Sequence, residues 1–132
     1  MSERKVFMKT DIISLAEYLP EDDFDCYNSW FDEEVQKGYN FKRTNTFEEY
    51  MVQNKEREEL NHTADCAIIL NENNKLIGEI GIAMYPNEPN DMSISIFKPY
   101  RNQGFGTMAF ALGAKYCFDI LGLKNICGLL SR

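Results

Sequence analysis

The fold is decided by the stretch from Ile96 to Thr107, IFKPYRNQGFGT, which joins a predicted strand to a predicted helix. Gly104 and Gly106 allow the backbone to turn tightly and to approach a ligand without a Cβ in the way. The helix that follows directs its unsatisfied N–H groups and the positive end of its dipole at the same place. A helix that begins after such a loop predicts an anion site suited to a pyrophosphate, and Arg101 adds a permanent positive charge.

Strands are predicted on both sides of this loop. Before it, ADCAIIL and KLIGEIGIAMY form a hairpin around the polar turn NENNK, and MSISIF alternates as a third strand. After it, a helix is predicted from Thr107 to Leu121, with Gly122 as its left-handed end, and NICGLLS is a final strand. The order strand, helix, strand predicts a right-handed parallel crossover between MSISIF and NICGLLS.

The first half of the chain is predicted to hold one strand and two helices. VFMKTDII is the strand, and EDDFDCYNSWFDEEVQKG is a helix that ends at Gly38. Thr46 and Glu49 have the spacing of a capping box, so a second helix should run to about Leu60. The whole chain, residues 1–132, is therefore expected to be a single α+β (mixed α/β) domain. Its five-stranded, mostly antiparallel sheet is flanked by helices. The fourth predicted strand (MSISIF), the third helix and the fifth strand (NICGLLS) form the parallel crossover, written β4-α3-β5 in this predicted order.

The loop resembles motif A of the GNAT superfamily of N-acetyltransferases, whose signature is Q/R-x-x-G-x-G/A between a strand and a helix. Arg101 stands at the first position of the signature, and Gly104 and Gly106 are its glycines. The resemblance is specific from Asp91 to Gly122 and rests on element order elsewhere. The polyamine and ribosomal-protein acetyltransferase branch looks nearest, through Trp30-Phe31-Asp32 and the string IFKPYR.

The resemblance implies an enzyme that uses acetyl-CoA as acyl donor and a primary amine as acceptor. Backbone amides of the loop would hold the CoA pyrophosphate, and the strand before it would pair with the pantetheine arm as an added strand does. Carried over residue by residue, the implied cofactor-binding residues are Ile94, Ser95, Ile96, Arg101, Asn102, Gln103, Gly104, Phe105, Gly106 and Thr107.

The same resemblance implies direct attack of a neutral amine on the thioester, with a general base that removes a proton and a backbone N–H that stabilises the oxyanion. Asp91, at the start of the motif-A strand, is the first candidate for the base, and Glu79 on the preceding strand is the second. A solvated strand cap is an equal alternative for Asp91, and a structural role is the simpler interpretation of Glu79. Trp30, Phe31 and Tyr85 either line an acceptor pocket or belong to the core.

Composition limits the other classes of function. The net charge of -7 argues against nucleic acid as a partner. The acidic first half is either a solvated surface or a field that attracts a cationic amine. No apolar run has membrane-spanning length and no secretion signal is visible, so a soluble, cytoplasmic protein is expected. Four cysteines without CxxC spacing and a single histidine, His62, predict reduced thiols and no metal site.

GNAT domains normally continue past the strand that NICGLLS represents, with a helix and two more strands that supply an asparagine and a tyrosine to the site. This sequence stops at Arg132. Four interpretations stay open: a C-terminally incomplete acetyltransferase, a short form that makes a homodimer through its last strand, a non-catalytic acyl-CoA-binding module, and an interaction domain without affinity for CoA.

Overall fold

The computed structural model describes residues 4–29, 46–61, 63–84 and 90–130. The strands are β1 (Val6–Lys9), β2 (Ile13–Glu17), β3 (Thr63–Leu70), β4 (Lys75–Ala83), β5 (Asn90–Ile96) and β6 (Ile126–Leu130). The helices are α1 (Asp23–Ser29), α2 (Phe47–Asn61) and α3 (Phe105–Asp119), with short 3₁₀ turns at Pro20–Asp22 and Lys98–Tyr100.

The six strands form one sheet in the order β1-β2-β3-β4-β5-β6. The first four pairings are antiparallel, and β5 pairs with β6 in parallel across the crossover helix α3. This mixed sheet with its helices confirms the predicted fold class, the hairpin of β3 with β4, and the parallel crossover. The part of the first long helix that was predicted beyond Ser29, up to Gly38, lies outside the described residues.

The prediction of one strand from Val6 to Ile13 is wrong, because the chain reverses at Thr10 and forms β1 and β2. The Thr10 hydroxyl accepts hydrogen bonds from the N–H groups of Ile12 and Ile13, both at 3.1 Å. The Thr10 N–H donates to the Ile13 carbonyl at 2.8 Å. These bonds satisfy the turn amides locally, as threonine side chains do in tight turns. The sheet therefore has six strands rather than five, and the predicted β4-α3-β5 crossover is β5-α3-β6.

The main core lies between α3 and one face of the sheet. Every second residue of the central strands points there, including Ile80, Ile82, Met92 and Ile94, each at most 1% exposed. Gly113 of α3 brings the helix close to the sheet: a Cβ at this position would lie 2.8 Å from the Met92 sulfur. The missing side chain therefore sets how closely α3 approaches the sheet.

The helices α1 and α2 lie on the opposite face of the sheet. Cys26 of α1 is fully buried and Tyr50 of α2 is 4% exposed. The Tyr27 and Tyr50 rings join the two helices, with centroids 5.3 Å apart. The second core cluster is small: its buried residues are Ala16, Ala67 and Ile69, and Leu76 packs against them.

The start of α2 has the capping box that the sequence predicts. The Glu49 N–H donates to the Thr46 hydroxyl at 3.2 Å, and the Thr46 N–H donates to the Glu49 carboxylate at 3.0 Å. The hydrogen bond from the Thr46 backbone, followed by that from its side chain, lowers the pKa of Glu49 below its ordinary value.

Replacing Thr46 with alanine should lower the free energy of unfolding by roughly 1 kcal/mol, because the Glu49 N–H loses the hydroxyl that caps it. Thr46→Ser keeps the hydroxyl and should match the wild type. A carboxylate whose pKa is lowered on folding stabilises the protein above its unfolded pKa, so the contribution of Glu49 should fade as the pH falls through its folded pKa. Urea unfolding at neutral and acidic pH measures both effects, and equal midpoints for the alanine and serine variants would contradict the capping role.

Candidate functional site

The loop between β5 and α3 is shaped by two left-handed residues. Asn102 has φ 62° and Gly104 has φ 86°, and α3 begins directly after Gly104. Gly104 is the N-cap of the helix and no side-chain oxygen caps its first turn. A helix N-terminus without a capping side chain or an acidic residue in its first turn presents amide donors and a positive dipole end to an incoming anion.

A side-chain hydrogen bond of Arg101 joins this loop to the end of β5. Arg101 is only 9% exposed, and its Nε donates to the Ile96 carbonyl at 2.8 Å. The Arg101 N–H donates to the Lys98 carbonyl at 3.3 Å, which closes the 3₁₀ turn. The sequence predicted Arg101 as a positive charge for the cofactor, and the structure places its guanidinium inside the loop, where it holds the backbone.

The other loop residues predicted to bind the cofactor lie together at the N-terminus of α3. Gln103 donates from its side-chain amide to the Pro99 carbonyl at 3.2 Å and so braces the turn. The set is mostly accessible, with Asn102, Gln103, Gly104 and Thr107 exposed and Phe105 and Gly106 half-buried. The loop thus offers its backbone to a ligand on a rigid scaffold.

The predicted pantetheine strand is β5, and β6 covers part of its outer edge. The parallel pairing runs from Asn90 opposite Ile126 to Ile94 opposite Leu130. Within the described residues, which end at Leu130, β6 pairs with β5 no further than Ile94, so no described residue of β6 lies opposite Ser95 or Ile96. Ser95 is 5% exposed, and within the described parts of the chain nothing hydrogen-bonds its hydroxyl.

Glu79 lies directly opposite Ser95 in the pairing of β4 with β5. A side-chain hydrogen bond joins it to Cys26 of α1. Burial raises the pKa of Cys26 and that of Tyr18 far above their ordinary values, and the negative charge of Glu79 is the next cause for both. Both groups therefore stay protonated at neutral pH. The Tyr18 hydroxyl donates to Asp23 at 2.7 Å, which fixes its ring beside the carboxylate of Glu79.

Asp91, the first candidate for the base, lies at the far end of the same strand. It is exposed, and its partners across the sheet are Ala83 and Cys127. Asp91 lies four positions before Ser95, a distance of roughly 13 Å along a strand. The structure therefore does not bring the two candidate bases together: Glu79 lies beside the end of β5 that precedes the loop, and Asp91 lies where β5 and β6 begin to pair.

A cleft of about 370 Å³ opens between α1 and the loop after β5. Asp25, Asn28 and Ser29 of α1 form one wall, and Phe97, Lys98 and Pro99 form the other. The sequence reasoning missed these α1 residues, as it missed Tyr18 and Cys26, because no local pattern shows which face of the sheet a short helix covers. The residues proposed for an acceptor pocket, Trp30, Phe31 and Tyr85, lie outside the described residues.

The described residues contain no group of three or more metal-ligand side chains placed to hold an ion. All four cysteines are free; Cys26, Cys66 and Cys117 are buried. Cys127 is exposed and lies opposite Asp91 in the pairing of β5 with β6. None of the helices in the part of the chain that the structure describes has the length and apolar character needed to cross a membrane.

Solved structures share this fold at low sequence identity. An acetyltransferase of the GNAT family from Bacillus anthracis superimposes with a TM-score of 0.71 at 19% identity, over 92% of this chain and 72% of its own. Spermidine N-acetyltransferase from Vibrio cholerae, in complex with CoA and spermine, superimposes with a TM-score of 0.78 at 17% identity, over 89% and 70%. FdhC, a nucleotide-linked sugar GNAT, gives 0.70 at 15% identity, over 94% and 72%.

The neighbours act on unlike acceptors, so the shared fold leaves the acceptor open. No curated protein sequence matches the chain significantly. Residues 15–131 match the family model of the acetyltransferase (GNAT) domain, which spans every element described from β2 to β6. The chain is therefore a member of the GNAT family of acetyltransferases.

Proposed function

We propose that the protein transfers an acetyl group from acetyl-CoA to a primary amine. The observation that carries this proposal is the arrangement at the end of β5. There the uncapped N-terminus of α3 follows the strand, Glu79 lies opposite Ser95, and no described residue of β6 pairs with the last two residues of the strand. These three features match the three groups that the reaction needs: an anion site for the cofactor, a backbone edge for its pantetheine arm, and a proton acceptor.

The loop residues fit a CoA pyrophosphate. The first-turn amides of α3, from Phe105 to Thr107, point out of the helix, and the left-handed backbone at Gly104 leaves no Cβ between them and a phosphate. No acidic side chain stands in the first turn of α3 to repel the phosphates. Arg101 acts on this cradle indirectly, since its bond to the Ile96 carbonyl fixes where the loop leaves β5.

The edge of β5 at Ser95 and Ile96, which no described residue of β6 pairs, is the proposed strand edge for the pantetheine arm. The Ile96 carbonyl accepts from Arg101, so an extended ligand that starts at the loop would use the remaining backbone groups of this edge. When bound there, acetyl-CoA supplies an activated carbonyl. Backbone N–H groups at the same edge can stabilise the negative charge that develops on its oxygen.

Glu79 is the proposed proton acceptor. An amine attacks only in its neutral form, and the nitrogen must lose a further proton as the new C–N bond forms. Glu79 takes this proton, directly or through an ordered water, and the sulfur leaves with the electron pair of the broken C–S bond. The protonated Cys26 hydrogen-bonds the carboxylate, which lies opposite Ser95 in the pairing of β4 with β5.

Cofactor binding can be tested by comparing alanine variants of two glycines that both have a left-handed backbone conformation. Gly104 has φ 86° and Gly122, at the end of α3, has φ 69°, and a Cβ at either would meet nothing closer than 3.9 Å. Alanine should therefore cost similar stability at both, roughly 1 to 2 kcal/mol. Only Gly104→Ala changes the cradle, so it should weaken acetyl-CoA binding by about tenfold or more, whereas Gly122→Ala should bind as the wild type does.

Calorimetric titration with acetyl-CoA and with CoA measures this difference, and thermal unfolding confirms that both variants fold. Absence of binding in the well-folded wild type would rule out the proposed function. Binding that both variants keep would move the cofactor away from the Gly104 loop. Release of free CoA thiol on addition of an amine then tests the transfer itself.

A further inference from the structure

Two fully buried cysteines lie on helices that cover opposite faces of the sheet. Cys117 of α3 belongs to the apolar core, where burial raises its pKa. Cys26 of α1 is also 0% exposed, but its thiol hydrogen-bonds the Glu79 carboxylate of β4 and lies beside the Tyr18 hydroxyl. Because both thiols are equally withdrawn from solvent, what distinguishes Cys26 is the chemistry of its neighbours.

The Cys26 thiol is the donor of its hydrogen bond to Glu79. Burial, followed by the negative charge of Glu79, raises the pKa of Cys26 so far that the thiol stays protonated at neutral pH. An ionised carboxylate can only accept hydrogen bonds, so the shared hydrogen comes from the sulfur. The Tyr18 hydroxyl gives its own hydrogen to Asp23 at 2.7 Å and so does not take the place of the thiol on Glu79.

Acidic side chains surround the pair of Cys26 and Glu79. The titratable groups around the pair come from the segment after β2, from α1 and the turn before it, from α2 and from β3: Tyr18, Asp22, Asp23, Tyr50 and Asp65. Arg4 balances Asp22, since one guanidinium nitrogen lies 2.6 Å from that carboxylate. The remaining carboxylates disfavour a charge on Glu79, whereas a hydrogen bond donated to the charged form favours it. The Cys26 thiol therefore acts against the acidic surroundings of Glu79.

We propose that Cys26 is a positioning residue for Glu79, and that its thiol holds the carboxylate ionised and in one orientation while it accepts the proton of the attacking amine. The inference rests on the proposed function, because it takes Glu79 as the base of that reaction. A thiol is a weak donor. It therefore fixes the carboxylate without lowering its basicity as much as a hydroxyl or an ammonium group would, and a base must keep enough basicity to take a proton. Because Glu79 lies opposite Ser95, the bond also joins α1 to the strands at the proposed site.

The first test follows the ionisation of Glu79 by NMR of protein labelled with ¹³C in its glutamate carboxyl groups. The Glu79 signal is the one that Glu79→Gln lacks, and without an amine substrate the titration of the acceptor does not enter. In Cys26→Ala the Glu79 midpoint should rise by about one pH unit, because its charged form loses a donor. Cys26→Ser keeps a donor and should leave the midpoint at or below that of the wild type. Cys117→Ala removes an equally buried thiol from the other face and should not move it.

Infrared spectroscopy tests the same bond in a protein that keeps Cys26, so the result does not depend on whether the alanine variant folds. Thiol S–H stretching bands lie in a window where other protein groups absorb little, and the Cys26 band is the one missing from Cys26→Ser. It should lie at lower frequency than the Cys117 band, because a hydrogen bond to a carboxylate weakens the S–H bond. In Glu79→Gln it should move to higher frequency, since an amide oxygen is a weaker acceptor. A band that stays in place would overturn the inference, as would an unchanged Glu79 midpoint in Cys26→Ala.

In the acetylation assay Cys26→Ala should lower kcat about tenfold with the affinity for acetyl-CoA unchanged, because Glu79 loses the contact that orients it. Cys26→Ser should recover most of the rate, and Cys117→Ala should lose little of it. Equal kcat in the wild type and in Cys26→Ala would also overturn the inference. The NMR and infrared results do not depend on turnover. If both agree with the inference while the wild type releases no thiol from acetyl-CoA in the presence of amines, the bond to Glu79 stands and the proposed function alone is contradicted.

Discussion

Replacing Glu79 with glutamine should lower kcat for amine acetylation by roughly a hundred- to a thousandfold, with the affinity for acetyl-CoA unchanged. Positioned general bases contribute rate factors of about this size. Glutamine has nearly the shape of glutamate, so the side chain can keep its place beside Cys26 and opposite Ser95. What it loses is the ability to accept the proton of the attacking amine, so the defect should appear in the chemical step and not in cofactor binding.

Asp91→Asn is the comparison that decides between the two candidate bases. Both variants remove one carboxylate charge from the same face of the sheet, but Asp91 is exposed at the start of β5, far from the end that precedes the loop. If Glu79 is the base, Glu79→Gln should lose much more activity than Asp91→Asn. A larger loss in Asp91→Asn would transfer the role to that residue.

The parts of this molecule that the sequence predicts well are those that local chemistry determines. The capping box at Thr46 and Glu49, the left-handed Gly122 and the glycine loop before α3 each depend on residues a few positions apart. Their conformations follow from which side chains can satisfy nearby amides or adopt positive φ. The alternation of β5 likewise follows from a buried face on one side.

The surroundings of Glu79 could not be predicted in this way. Cys26 of α1 hydrogen-bonds this carboxylate, and Tyr18, which follows β2, feels its charge, so both interactions join residues more than fifty positions apart. The sequence also predicts Arg101 as a ligand of the cofactor, because a positive charge next to a glycine-containing loop suits a phosphate. Its burial and its bond to Ile96 appear only when the loop is folded. Long-range packing, which has no local pattern, decides the surroundings of Glu79, whereas the Arg101 bond spans five residues and depends on the conformation of the whole loop.

Replacing Gly78 with alanine should destabilise the fold by about 3 kcal/mol or more, because an added Cβ would overlap backbone atoms of β5. Between Ile68 and Ile69 the register of β3 against β4 shifts, so that Ile77 is an extra residue without a partner. This bulge brings the backbone of Gly78 against β5. A Cβ there would lie 2.2 Å from the Ser95 carbonyl oxygen, and its other near neighbours, at 3.1 and 3.2 Å, are backbone atoms too.

Such a contact cannot be relieved by turning a side chain, so β4 and β5 must move apart at the end that carries the proposed site. Gly81→Ala, three residues along the same strand, is the matched control. Its nearest contact is the Ser93 hydroxyl at 3.2 Å, which can rotate, so this variant should stay within about 1 kcal/mol of the wild type. Urea unfolding of the two variants measures the difference. Similar stability for both would mean that β5 can shift away from the bulge, and that Gly78 is not needed to place Ser95 opposite Glu79.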